Sequence, residues 1–230
     1  MNLAARRSYL RSCSRETYRP ERTDGQRART VTVILGVAAA FYLLNVLIQV
    51  PILRVVHTVG LGRGVSAALL FPAVYAISEE ACRYLSFRAG HTMRENRTST
   101  GAVLAGLGHG CMEALVLLVL FATHTNSWSW LGFGLFAAGR ILAVCTHVGF
   151  ATLVVLAYRR SRWCLVLAVL AHFAVDWSTF ALQARAGLWY LLLFTTWAFM
   201  AFALILLVKR RGLLASNATG DNRNNYGGTA

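Results

Sequence analysis

The stretch GAVLAGLGHGCMEALVLLVLFA, residues 101–122, decides how the chain is to be read. At a rise of about 1.5 Å per residue it forms a helix of roughly 33 Å, long enough to cross a hydrocarbon core of about 30 Å. Apart from His109, its one ionisable acidic or basic side chain is Glu113, placed where a charge is costly.

Working outward, five more apolar tracts lie at approximately 31–54, 65–87, 133–157, 163–183 and 186–208. Each is about the 20 residues that a spanning helix needs. They predict an all-α protein, a polytopic membrane helix bundle of about six transmembrane helices over residues 31–208. Pro51 and Pro72 fall inside tracts, which membrane helices tolerate. Trp128 and Trp130 stand where an interfacial aromatic belt meets the fourth tract. The composition agrees: 57% of the residues are hydrophobic and 14% charged, against about a quarter charged in soluble domains.

Residues 1–30 form an arginine-rich arm, and 209–230 a tail that looks disordered from Ser216 onward. No apolar stretch precedes the arm, so no ordinary secretory signal peptide is expected. The net charge of +14 is clustered at the ends of the apolar runs, where it would face lipid headgroups. That placement argues for a lipid bilayer as partner and against nucleic acid. Arginines crowd the arm, the 88–100 loop (Arg88, Arg94, Arg97), the 158–162 loop (Arg159, Arg160, Arg162) and the end of the sixth tract. The alternate loops are poorer, with Arg54 and Arg63 flanking one, none in 123–132, and Arg185 alone. Retention of positive charge inside then predicts a multi-pass protein with both termini cytoplasmic. The five cysteines show no CxxC spacing, so neither a disulfide framework nor a cysteine zinc site is expected.

Tracts two to five carry Glu79, Glu80, Arg83, Glu113, Arg140 and Asp176. Each such group costs about 2.5–3.5 kcal/mol at mid-bilayer, a gross penalty on the order of 10 kcal/mol even after pairing. Such a cost persists where the groups face one another or a wet cavity. Their depths coincide. Glu80 lies roughly 10 Å, His109 about 12 Å, His172 about 14 Å and His147 about 15 Å from the arginine-rich end of its tract, with Glu113 and Asp176 about one turn deeper. His109 and Glu113 are four residues apart, as are His172 and Asp176, so each pair shares a helix face. Glu79 or Glu80 can approach Arg83 one turn along, and His147 shares a face with Arg140. Gly106, Gly108 and Gly110 leave room beside His109 for a neighbouring backbone or a substrate. His57, His91 and His124, in loops or at interfaces, suggest no specific role.

A buried carboxylate beside an imidazole can activate water, and a second His–Asp pair can stabilise an oxyanion or orient the first ring. The same set could hold a divalent metal such as zinc, although HExxH is absent and no spacing identifies a ligand set.

The strings Ser78-Glu79-Glu80-Ala81-Cys82-Arg83-Tyr84, Gly106-Leu107-Gly108-His109-Gly110-Cys111-Met112-Glu113-Ala114 and His172-Phe173-Ala174-Val175-Asp176 resemble the YhfC family. That family is similar to the clan of glutamic intramembrane proteases that includes CAAX-processing and bacteriocin-processing enzymes. The resemblance covers roughly residues 40–185. It implies Glu79 or Glu80 as general base, His109 as its partner, and His172 with Asp176 as an oxyanion-stabilising pair. Arg83, Glu113, Arg140 and His147 would be supporting residues. The expected function is an intramembrane peptidase acting on a membrane-anchored peptide or protein, in the plasma membrane of a bacterium. Two other readings compete: a non-catalytic membrane scaffold, and a proton or metal-ion transporter. The absence of inverted repeats and the off-centre depth of the cluster argue against transport.

Overall fold

The computed structural model describes residues 23–61, 64–124, 129–182 and 188–214. Arg63, Trp128, Arg185, most of the basic arm and the chain beyond Leu214 lie outside them. Among the described residues seven helices follow in order: α1 Asp24–Thr58, α2 Gly64–Ser86, α3 Gly90–Glu95, α4 Ser99–His124, α5 Trp130–Arg159, α6 Trp163–Leu182 and α7 Leu188–Arg210. Five of them (α1, α4, α5, α6 and α7) are long and apolar enough to cross a membrane. The second tract is helical as expected, with Glu79, Glu80 and Arg83 inside α2, and is not one of these five. Its 23 residues still span roughly 34 Å.

Three boundaries differ from the sequence reading. Helix α1 begins inside the arm, at Asp24, because Thr23 and Gln26 form a reciprocal cap. The Thr23 hydroxyl accepts from the Gln26 amide at 3.4 Å, and the Gln26 side chain accepts from the Thr23 amide at 3.2 Å. The 88–100 segment contains the short helix α3, whose Met93 is fully buried. The expected tail starts later than 209. Helix α7 runs to Arg210, and the following turn docks, with Arg159 donating to the Leu214 carbonyl at 3.1 Å and Arg160 to that of Leu213 at 3.1 Å.

Packing makes a closed ring. Helix α1 lies against α2, α2 against α6, α6 against α5, α5 against α4, and α4 returns to α1; α7 covers the outside of α5 and α6. Glycines set the closeness of two of these seams. A Cβ on Gly106 would fall 2.4 Å from the Val148 Cα of α5, and one on Gly108 would fall 2.5 Å from the Leu35 carbonyl oxygen of α1. The room expected beside His109 is therefore taken by backbones on both sides of α4. Lipid-facing positions stay apolar and exposed, as at Leu47, Ile77, Leu120 and Phe199, which is the burial pattern of a bundle solvated by acyl chains.

Candidate active site

Four helices of the ring deliver the ionisable residues to its interior. Glu79 and Glu80 come from α2, His109 and Glu113 from α4, Arg140 and His147 from α5, His172 and Asp176 from α6. Adjacent residues on a helix point about 100° apart, so Glu79 and Glu80 cannot share one environment. Glu80 is fully buried and locked. Its Oε1 takes a hydrogen bond from Arg83 Nη1 and another from His172 Nδ1 at 2.7 Å. Glu79 turns instead into a cavity of about 360 Å³ that Glu113, Arg140, His147, His172 and Asp176 also line. Its Oε2 lies 3.4 Å from His109 Nε2 and 3.7 Å from His172 Nε2. Those spacings bracket the carboxylate with two imidazoles.

The other pairs follow the helix-face reading. Glu113 joins two residues one face of α5 apart: Arg140 donates to its Oε1 at 3.0 Å, and His147 Nε2 lies 2.5 Å from its Oε2. His172 Nε2 reaches Asp176 Oδ2 at 3.6 Å along its own helix. The His172 ring stacks on Phe150, with centroids 4.5 Å apart, which fixes the plane in which both its nitrogens point.

Hydrogen-bond bookkeeping assigns the tautomers. A guanidinium only donates, so Arg83 Nη2, 2.7 Å from His147 Nδ1, makes that nitrogen the acceptor. The His147 proton is then on Nε2, directed at Glu113. His172 Nδ1 faces a carboxylate and so carries a proton. Its Nε2 faces two more carboxylates, Glu79 and Asp176.

The same bookkeeping tests a metal. Glu79, His109 and His147 bring ligand atoms within 4.8 Å of one another, close enough to suggest a divalent ion such as zinc. An ion needs an imidazole lone pair. His147 has one nitrogen taken by Arg83 and the other donating to Glu113, so this triad fits a metal poorly.

Sequence reasoning placed all nine candidates at one site, and the structure brings all nine together. It missed the contribution of the first helix. Tyr42 and Gln49 of α1 line the cavity, and the Tyr42 ring stands edge-on to His109 with centroids 4.9 Å apart. Tyr42, Asn45 and Gln49 are buried on one face of a helix whose Leu43, Leu44, Leu47 and Ile48 are exposed. The signal was visible: three polar residues spaced three and four apart in an otherwise apolar tract. Asn45 is completely buried, and neither polar atom of its side chain has a partner among the described residues.

Comparison of the chain with protein families, with curated proteins and with solved structures finds no match.

Proposed function

We propose that the protein is an intramembrane peptidase of the glutamic type, distantly related to the YhfC-like and CAAX-processing proteases. The observation that carries this reading is Glu79, a carboxylate on a cavity inside an apolar bundle, bracketed by His109 Nε2 at 3.4 Å and His172 Nε2 at 3.7 Å. Between these groups a water molecule has an acceptor to take its proton and imidazoles to orient it.

In this mechanism Glu79 removes a proton as the water oxygen attacks the scissile carbonyl carbon. The tetrahedral intermediate then collapses with cleavage of the C–N bond, and the proton held by Glu79 passes to the departing amine. His109 holds Glu79 in place. Glu80 and Arg83 fix His172 and His147 from behind, and the Glu113–Arg140 pair supports the far wall. The substrate is a membrane-anchored peptide or protein reached through the bilayer. The chain resides in the plasma membrane of a bacterium, with both termini on the cytoplasmic side.

The test is cleavage of a panel of membrane-anchored peptides by purified protein, followed by mass spectrometry of the products. Wild-type protein should cut at least one, and Glu79→Gln should abolish the cut. A scaffold gives no turnover in the parent, and a parent that cleaves equally after Glu79→Gln rejects the glutamic mechanism.

A further inference from the structure

The ring of helices is not equally closed on its two sides. Between the polar cluster and the arginine-rich end, α1, α4, α5 and α6 present buried apolar side chains. Ile34 and Ala38 of α1, Ala102 and Ala105 of α4, Val154 and Val155 of α5 and Ala168 of α6 are all at most 2% exposed, and Phe87 after α2 is fully buried. Met93 of α3 and Leu214 after α7 complete this layer. Outside it, arginines tie the chain down. Arg97 donates to the Phe87 carbonyl at 2.8 Å and covers the Tyr158 ring at 3.8 Å, and Arg159 donates to the Arg97 carbonyl at 3.2 Å.

Among the described residues, the cluster is open on the opposite side. The cavity extends from it along residues that all lie further from the arginine-rich end: Gln49 on α1, Tyr75 on α2, Leu117 on α4, Phe136 on α5, and Thr179 with Phe180 on α6. Exposure rises in that direction. His109 and Glu80 are at 1% and 0%, whereas Glu113 and Asp176 reach 15% and 24%. A buried apolar layer about two helical turns thick offers no path for a polar peptide backbone, since an unpaired amide or carbonyl there costs several kcal/mol.

We propose that the site is loaded from the face remote from the arginine-rich end, and that its substrate is a hydrophobic peptide segment lying in that leaflet. In the proposed orientation this is the outer leaflet, so the substrate segment enters from the extracytoplasmic side and its scissile bond is carried inward to Glu79. The walls match such a segment. Phe136, Phe180 and Leu117 supply apolar surface, and Glu79 waits at the inner end. The substrate side of this inference rests on the peptidase reading; the direction of access does not.

Access is measured without turnover. In a background with all five native cysteines replaced by alanine, Thr179→Cys places a thiol on the cavity wall, and Leu117→Cys is a second position on another helix. A membrane-impermeant charged methanethiosulfonate is applied to right-side-out and inside-out vesicles, whose orientation is set by a tag after Gly220. Both thiols should react at least about tenfold faster from the face opposite the tag, following the distance of water from each side. Equal reaction from the two faces, faster reaction from the tagged face, or no reaction from either overturns the proposal. If the thiols react from the remote face while the parent cleaves no peptide, the access stands and the peptidase reading falls. Cleavage combined with access from the tagged face leaves the enzyme and removes this inference.

Discussion

Glu79 and Glu80 are neighbours in sequence, yet the structure assigns them opposite failures when each is changed to glutamine. Glu80 is fully buried, with its charge set against Arg83, itself 1% exposed, and against His172 Nδ1 at 2.7 Å. Gln keeps the carbonyl acceptor but removes the charge, which leaves a guanidinium in a dry interior. Breaking a buried ion pair in this way costs about 3–5 kcal/mol. Glu79 has imidazole partners at 3.4 and 3.7 Å and opens on a cavity, so the amide can be solvated where the carboxylate was. Its loss should cost under about 1 kcal/mol of stability. As general base, however, it carries a factor of about 10²–10⁴ in rate, equivalent to about 2.7–5.4 kcal/mol of barrier at 1.36 kcal/mol per tenfold. The assay pairs unfolding of purified protein in a denaturing detergent titration with single-turnover cleavage of a peptide substrate. Glu80→Gln should unfold early, and Glu79→Gln should unfold normally and not cleave. A stable, inactive Glu80→Gln beside an active Glu79→Gln would refute the assignment of the base.

Three other outcomes follow from the geometry. A strong zinc chelator should leave cleavage unchanged, because both nitrogens of His147 are engaged; inhibition that added zinc reverses would show the metal reading to be right. Gly106→Ala and Gly108→Ala push a Cβ to within 2.4 and 2.5 Å of α5 and α1 backbone atoms and should each cost about 1–3 kcal/mol. By contrast Gly36→Ala, with nothing within 4 Å, should gain about 0.5–1 kcal/mol in the same unfolding assay. Tyr42→Phe should lower kcat by about 10²–10³ with KM unchanged, as the removal of an oxyanion donor does. The reason is that His172 directs both nitrogens at carboxylates, whereas the Tyr42 hydroxyl belongs to a ring packed on His109 at the cavity wall. Equal kcat in the two proteins would leave the oxyanion with His172 and Asp176.

Legibility in the sequence followed length scale. Long apolar tracts gave the helices, and spacings of four and seven residues gave the shared faces of His109 with Glu113, His172 with Asp176 and Arg140 with His147. These are properties of one helix at a time. The choice between Glu79 and Glu80 depends on how α2 is rotated against α6, which no single tract records. Helix α3 was hidden because six residues cover less than two turns, too short for a periodic signal. The ordered turn after α7 was hidden for another reason. It is held by Arg159 and Arg160 donating to carbonyls 55 and 53 residues away, and positive loops near a membrane read the same whether their arginines meet lipid or backbone.

The charge pairing also bears on the choice between a scaffold and the proposed enzyme. A network kept for packing gains by closing each buried charge with an opposite one, since an uncompensated ion is the costly state. Two of the four carboxylates are closed in this way, Glu80 by Arg83 and Glu113 by Arg140. Among the described residues, the ion pairs of Glu79 and Asp176 are with imidazoles, and both carboxylates line the cavity. Glu80 and Glu113 meet imidazoles as well, His172 at 2.7 Å and His147 at 2.5 Å, and Glu113 also lines the cavity; Glu79 and Asp176 differ in that the ion pairs they make among the described residues are with imidazoles alone. Packing alone gives no reason for that division. The proposed proton transfer to and from a bound molecule gives one, because it needs a carboxylate on the cavity beside imidazoles that can orient the reacting group.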